Sequence, residues 1–209
     1  SSANRGCCAQ MCRLPYDLVD ADGNVLMRER HLLSLRDLNR MGDLAAMADA
    51  GISSFKIEGR LKSASYVANV TAAYSQALDA VIAASDGRYR RASAGTSVPA
   101  FNPDVSRAFN RGFTRYFIND TMPGKGETAS WDTPKFIGVP VARVIGGRGP
   151  GIRVHADTDL TNGDGLGYFD DNHEYRGFRV NRVSADLSTI FPAGLVEPLR
   201  VGTVLYRNY

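Results

Sequence analysis

The sequence predicts an α/β segment followed by a small all-β domain. Three observations carry this. Phe55 and Ile57 alternate with Ser54, Lys56 and Glu58, the period-two pattern of a strand. Helical patterns flank that strand on both sides, with Gly51 and Gly59 punctuating its ends. From residue 133 onward, short apolar runs alternate with Gly, Pro and Asp turns, which suits a small β-barrel.

The chain has 209 residues, 44% hydrophobic and 22% charged, an ordinary composition for a soluble protein with a real core. It contains no apolar run of about 18 residues, the length a membrane-spanning helix needs, and it does not open on a signal-peptide pattern. The expected location is cytoplasmic. A formal net charge of +3 permits an anionic partner without requiring one. A complete α/β barrel needs about 200 residues. What precedes the β-rich tail is much shorter, and the chain does not begin with Met, so it reads as a piece of a longer protein.

In chain order, Tyr16–Val19 and Val25–Leu26 flank Asp20-Ala-Asp-Gly-Asn24, a hairpin turn of the Asp-Gly kind. His31-Leu-Leu-Ser-Leu35 is a short apolar bridge. A helix is predicted over 36–50, capped by Ser34 or Asp37, with Leu38, Met41, Leu44, Ala45 and Ala48 as its buried stripe. Gly51 ends it and a strand follows over 52–58. Ser63 caps a second, amphipathic helix over about 63–84, buried through Tyr66, Val67, Val70, Tyr74, Leu78 and Val81. Residues 85–106 lose periodicity and read as a linker, and 118–132 as a polar loop. Strands are predicted over 136–145, 151–155, 166–169, 177–183 and 203–207, with Gly146–Gly151 as a hairpin turn. The implied domains are 1–35, 36–84, 85–132 and 133–209.

Three stretches carry chemistry. All three cysteines, Cys7, Cys8 and Cys12, lie in the first segment. An odd, clustered set is a poor disulfide framework, and thiolates suit zinc or an iron–sulfur cluster. Both metals normally take four protein ligands, and idle cysteines are the alternative. Lys56, Glu58, Arg60 and Lys62 crowd the carboxyl end of the predicted strand, where α/β proteins gather their chemistry. There Glu58 suits a general base and Lys56 and Arg60 an anion clamp. Solvated salt bridges are the other reading. Between residues 86 and 115, six arginines face Asp86 and Asp104 alone, a net of +4. Arg107, Arg111 and Arg115 alternate with Phe and Tyr, a pattern that suits an RNA strand or, equally, a packed segment with local ion pairs. Gly124–Glu127 lacks phosphate-loop spacing, and His155 and His173 lack partners at zinc spacing.

Ser2-Ala-Asn-Arg-Gly-x-Cys-Ala-Gln-x-Cys-Arg-x-Pro-Tyr16 resembles the cysteine segment of the collagenase-like peptidase family U32. Ser34-Leu-Arg-Asp-Leu38, Phe55-Lys-Ile-Glu-Gly-Arg60, Phe109-Asn-Arg-Gly-Phe-Thr114 and Thr133-Pro-Lys135 are similar to further signatures of that family, in its order. Gly163–Leu166, Gly177–Asn181 and Gly202–Asn208 resemble the tail of its longer members. The resemblance implies a fold of α/β plus β, in which 36–84 is the last part of a TIM-like barrel and 133–209 a separate β-barrel. It implies that Cys8 and Cys12 are two of four ligands to a [4Fe–4S] cluster whose other two lie upstream. Cys7 matches no ligand position. It implies one of several activities: peptide hydrolysis, oxygen-independent hydroxylation in ubiquinone synthesis, or hydroxylation of a pyrimidine in tRNA or ribosomal RNA, with prephenate as a required metabolite. The tail is most similar to the ribosomal RNA cytidine branch. Ribosomal RNA or tRNA is then the partner, and a non-catalytic RNA-binding module is the remaining alternative for this chain taken alone. The chain shows no Gly-x-Ser-x-Gly elbow and no His-Glu-x-x-His of a peptidase.

Overall fold

A computed structural model of the protein describes residues 3–117 and 128–208. The segment 118–127, most of the polar loop expected over 118–132, lies outside the described residues. The chain divides into two compact units, residues 38–109 and a second formed by 1–37 together with 110–209.

The unit of residues 38–109 is helical. A 3-10 turn, Met41–Asp43, leads into a short helix α1, Leu44–Asp49, and α2 spans Ala64–Ala83. The helix predicted over 36–50 is thus confined to its second half, and neither Ser34 nor Asp37 caps it. Gly51 ends α1 as expected, its N–H donating to the Ala48 carbonyl at a φ of 90° that only glycine adopts without strain. Ser63 caps α2, its Oγ accepting from the Tyr66 N–H at 3.2 Å. The strand predicted over 52–58 is not formed: the backbone there is irregular and pairs with no other described segment. Alternation sets the two faces of a strand, but a strand also needs a neighbour to accept its backbone hydrogen bonds. The linker is anchored. Arg91 holds Asp79 through two bonds of 2.7 Å, Arg88 pairs with Asp49 at 3.2 Å, and Asn69 exchanges bonds with the Asp104 backbone.

The other unit opens on the expected hairpin, β1 (Tyr16–Val19) and β2 (Val25–Arg30). The Asp20 carboxylate accepts from the side chain and backbone of Asn24 and from the Asp22 N–H, which holds its pKa below the ordinary aspartate range. Two short strands follow, β3 (Asp37–Leu38) and β4 (Phe113–Thr114).

The predicted β domain is a closed, six-stranded antiparallel barrel. Its strands are β5 (Val139–Arg148), β6 (Gly151–Ala156), β7 (Gly165–Phe169), β8 (Tyr175–Val183), β9 (Thr189–Pro192) and β10 (Val204–Asn208). Their order around the wall is β10-β5-β6-β9-β8-β7, and β7 pairs back to β10 through Leu166 with Arg207 and Gly167 with Tyr206. Five of the strands match the sequence expectation within a few residues, and β9 is additional. Val141, Val144, Val154, Leu166, Val180, Ile190 and Leu205 fill the interior, each at most 3% exposed. Gly138 sits at a φ of 87°, where a Cβ would stand 2.2 Å from the Arg207 carbonyl oxygen, so only glycine passes. No helix among the described residues is long and apolar enough to cross a membrane.

Candidate functional site

The cysteine segment is held from below by charged side chains. Cys12 rides on a single 3-10 turn, Met11–Arg13. The Arg13 guanidinium donates to Ser34 Oγ at 2.9 Å and to the Leu35 carbonyl at 3.1 Å. The Arg13 carbonyl lies 2.9 Å from His31 Nδ1, and the Tyr16 hydroxyl donates to the Met11 carbonyl. Ser34, fully buried, is the floor of this turn. Gln10 enters it in the left-handed region, φ 53°, and its N–H donates to Cys8 Sγ at 3.4 Å. All three thiols are free and exposed.

The segment Asn110-Arg-Gly112 locks against the same floor. Asn110 Oδ1 accepts from the Gly112 N–H, closing an Asx turn. That turn directs Arg111 inward. The Arg111 N–H donates to Asp37 Oδ2 at 2.8 Å, its guanidinium to Asp37 Oδ1 at 3.2 Å, and its Nε to the Pro134 carbonyl at 2.9 Å. Burial lowers the pKa of Arg111 most; Asp37 opposes this and Arg13 adds to it. Gly112, at φ 81°, lies under Arg36, whose side-chain atoms come within 3.5 Å of where a Cβ would be. The Arg36 Nε is buried without a hydrogen-bond partner among the described residues.

Three guanidinium groups, Arg13, Arg36 and Arg111, therefore share one floor with Asp37 beneath the Cys12 turn. Arg111, for which the sequence left an RNA contact and a packed ion pair equally open, is committed to internal partners. Arg107 is exposed and pairs with Asp104 at 3.4 Å, and Arg115 is exposed. Ser34, Arg36 and Asp37 were not singled out as site residues. The signal for them was available in the run Ser34-Leu-Arg-Asp, where two charges interrupt an apolar stretch.

In the helical unit, Lys56 Nζ lies 3.5 Å from Glu58 Oε2, with the side chains 87% and 70% exposed. Glu58 Oε1 also accepts from the Arg60 N–H at 3.3 Å. The geometry is that of a solvated pair next to a turn in which Leu61 takes a φ of 60°. Lys62 is engaged elsewhere, its ammonium 3.3 Å from the centroid of the Phe109 ring.

Whether the thiols suit a cluster depends on the donor set. Two soft thiolates on an exposed turn are suitable ligands, but no group of three or more His, Cys, Asp or Glu side chains at metal-binding distance exists among the described residues. Among the described residues, Cys8 and Cys12 would be ligands within an incomplete cage.

The model of Peptidase family U32 matches residues 1–127. The chain belongs to peptidase family U32. It is 47% identical over 182 residues to the 23S rRNA 5-hydroxycytidine C2501 synthase of Escherichia coli, covering 87% of this chain and 27% of that protein. A collagenase of Porphyromonas gingivalis is 35% identical over 113 residues, 54% of this chain and 29% of the collagenase. The tRNA hydroxylation protein P1 of Bacillus subtilis is 41% identical over 87 residues, 39% of this chain and 21% of that protein. The chain thus spans under a third of the length of each of these relatives. No solved structure matches it.

Proposed function

We propose that this chain is part of an enzyme that hydroxylates a pyrimidine base in RNA, with ribosomal RNA ahead of tRNA as the substrate. One observation carries the reading. A match of 182 residues within 209 must include both the Asn110–Gly112 turn and the barrel strands β5 to β7, so the similarity to the relative named for ribosomal RNA runs through both. The collagenase match covers 54% of the chain.

In this reading Cys8 and Cys12 contribute two of the ligands of a [4Fe–4S] cluster, and the arginine floor fixes the turn that presents them. The cluster would supply redox chemistry; the chain's own part is to hold two thiolates outward beside a positive field. The helical unit is proposed as part of a TIM-like barrel. Support comes from the period-two alternation of Phe55 and Ile57 after α1, followed by a capped, twenty-residue α2. Lys56, Glu58 and Arg60 would then stand at a strand end as anion clamp and base, with prephenate, a dicarboxylate, as a suitable ligand.

The test is deletion of the gene followed by nucleoside mass spectrometry of ribosomal RNA and tRNA. Loss of one hydroxylated pyrimidine, restored by the full-length gene, is the expected result. An unchanged nucleoside profile together with cleavage of denatured collagen by the purified protein overturns it in favour of peptide hydrolysis.

A further inference from the structure

The outer wall of the barrel holds charges that the cysteine site does not use. The six strands contain seven arginines and no Asp or Glu; the carboxylates of this region all lie in its turns and loops. Two of the seven are neutralised by such loops, Arg176 by Asp170 and Glu174 and Arg207 by Asp164. Arg153 on β6 and Arg179 and Arg182 on β8 are exposed, and among the described residues none has a carboxylate at ion-pair distance. The nearest turn, between β8 and β9, does not compensate them: Asp186 there accepts from the hydroxyls of Ser184 and Ser188.

Register brings these groups onto one surface. Ile152 pairs with Ile190, and both pack toward the core, so Arg153, Thr189 and Phe191 face out. Phe191 pairs with Arg182, whose guanidinium carbon lies 3.9 Å from the centroid of the ring. Gly151 borders the same ring, where a Cβ would come within 3.1 Å of Phe191 Cε1. A larger residue there would push the aromatic off the wall. Val180 is buried, so Arg179 beside it faces out, opposite Gly165, around which a Cβ would meet nothing. The wall from β6 across β9 and β8 to β7 therefore presents a guanidinium–aromatic pair, two flanking cations and, beside Arg179, the bare backbone of Gly165.

We infer that this wall is an RNA-docking face: a base stacks on the Arg182–Phe191 pair, and Arg153 and Arg179 hold phosphates on either side of it. Planar guanidinium and aromatic groups are the surfaces on which unstacked RNA bases settle, and uncompensated arginines take the backbone. An acidic peptide would use the cations but gains nothing from the planar pair. The inference rests on the RNA-modifying reading and assigns the barrel its place in it.

The test is fluorescence anisotropy of a labelled 12-nucleotide oligouridine with the full protein, at several salt concentrations. Arg153→Gln with Arg179→Gln should weaken binding roughly tenfold and lower the salt slope by about 1 to 2. Phe191→Leu should weaken it roughly five- to tenfold with the slope unchanged, as expected of lost stacking. Circular dichroism melting establishes that each variant stays folded, and the exposed Arg153→Gln keeps the test open should Phe191→Leu not fold. Variants that bind within twofold of the parent overturn the inference, as does an equal loss of binding to labelled polyglutamate, which would mark the wall as a surface for acidic proteins. Neither outcome alters the nucleoside measurement, so this inference and the proposed function fail separately.

Discussion

Asp37 receives both the backbone N–H and the guanidinium of Arg111, at 2.8 and 3.2 Å, across 74 residues of sequence. That pair ties the segment leading out of the cysteine region to the segment leading into the barrel. Asp37→Ala removes a carboxylate partner of an arginine whose side chain is only 17% exposed. With Asp37 itself 39% exposed, solvent screens part of the loss. The expected cost is about 1 to 3 kcal/mol, read as a lower urea midpoint with an unchanged slope. Asp37→Asn should recover part of it, since an amide oxygen still accepts.

The Lys56–Glu58 pair separates stability from activity. Both side chains lie mostly in solvent, so Lys56→Ala and Glu58→Gln should each shift stability by less than about 0.5 kcal/mol. If the pair faces substrate in the intact enzyme, hydroxylation of the RNA base falls at least tenfold in each variant. Full activity in both identifies a surface salt bridge.

Cys8→Ser with Cys12→Ser should strip iron and sulfide from the full-length protein purified without oxygen, because oxygen ligands replace thiolates poorly at such clusters. Elemental analysis of the same sample distinguishes iron from zinc. Cys7→Ser should leave the iron content unchanged.

Gly167 and Tyr175 set a steric limit in the barrel. The Tyr175 hydroxyl donates to the Ile137 carbonyl at 2.6 Å and passes 1.9 Å from where a Cβ on Gly167 would stand. Gly167→Ala should displace the tyrosine and break that bond, at a cost of about 1 to 3 kcal/mol in thermal unfolding. In a Tyr175→Phe background, which lacks the hydroxyl, the same change should cost less.

The barrel should lose stability in acid through its β8–β9 turn. Asp186 is held down to about 2 by the Ser184 hydroxyl first and then by Ser188, against an ordinary value of 3.8. A lowered carboxylate stabilises the fold above its ordinary pKa, and that stability is lost as pH falls from about 4 to about 2. The melting temperature should decline across that window, and less steeply in Asp186→Asn.

The pattern of residues foretold what is local and missed what depends on pairing. The Asp20 turn, the Ser63 cap and five barrel strands were legible because each is set by neighbours within a few positions. The four-residue β9 was missed because it ends on Pro192 and is too short to show alternation. The strand expected at 52–58 shows the converse, since its alternation is real and no described segment pairs with it. At the site, the cysteines and Arg111 were visible as residue types. The partnership of Arg111 with Asp37 and of Arg182 with Phe191 was not, because each joins elements that meet only after folding.

Closure of the barrel by β10 has a consequence for biosynthesis. β10 is the last strand in order, and it must hydrogen-bond to β5 and β7, which leave the ribosome about sixty and forty residues earlier. Until Val204–Asn208 emerge, β5 and β7 each expose an unpaired edge on the nascent chain, the kind of template that captures other strands. Pairing across such separations is intrinsically slow. The interval between synthesis of β7 and arrival of β10 is therefore when this domain most needs a chaperone, and a ribosome stalled there would release a chain prone to aggregate.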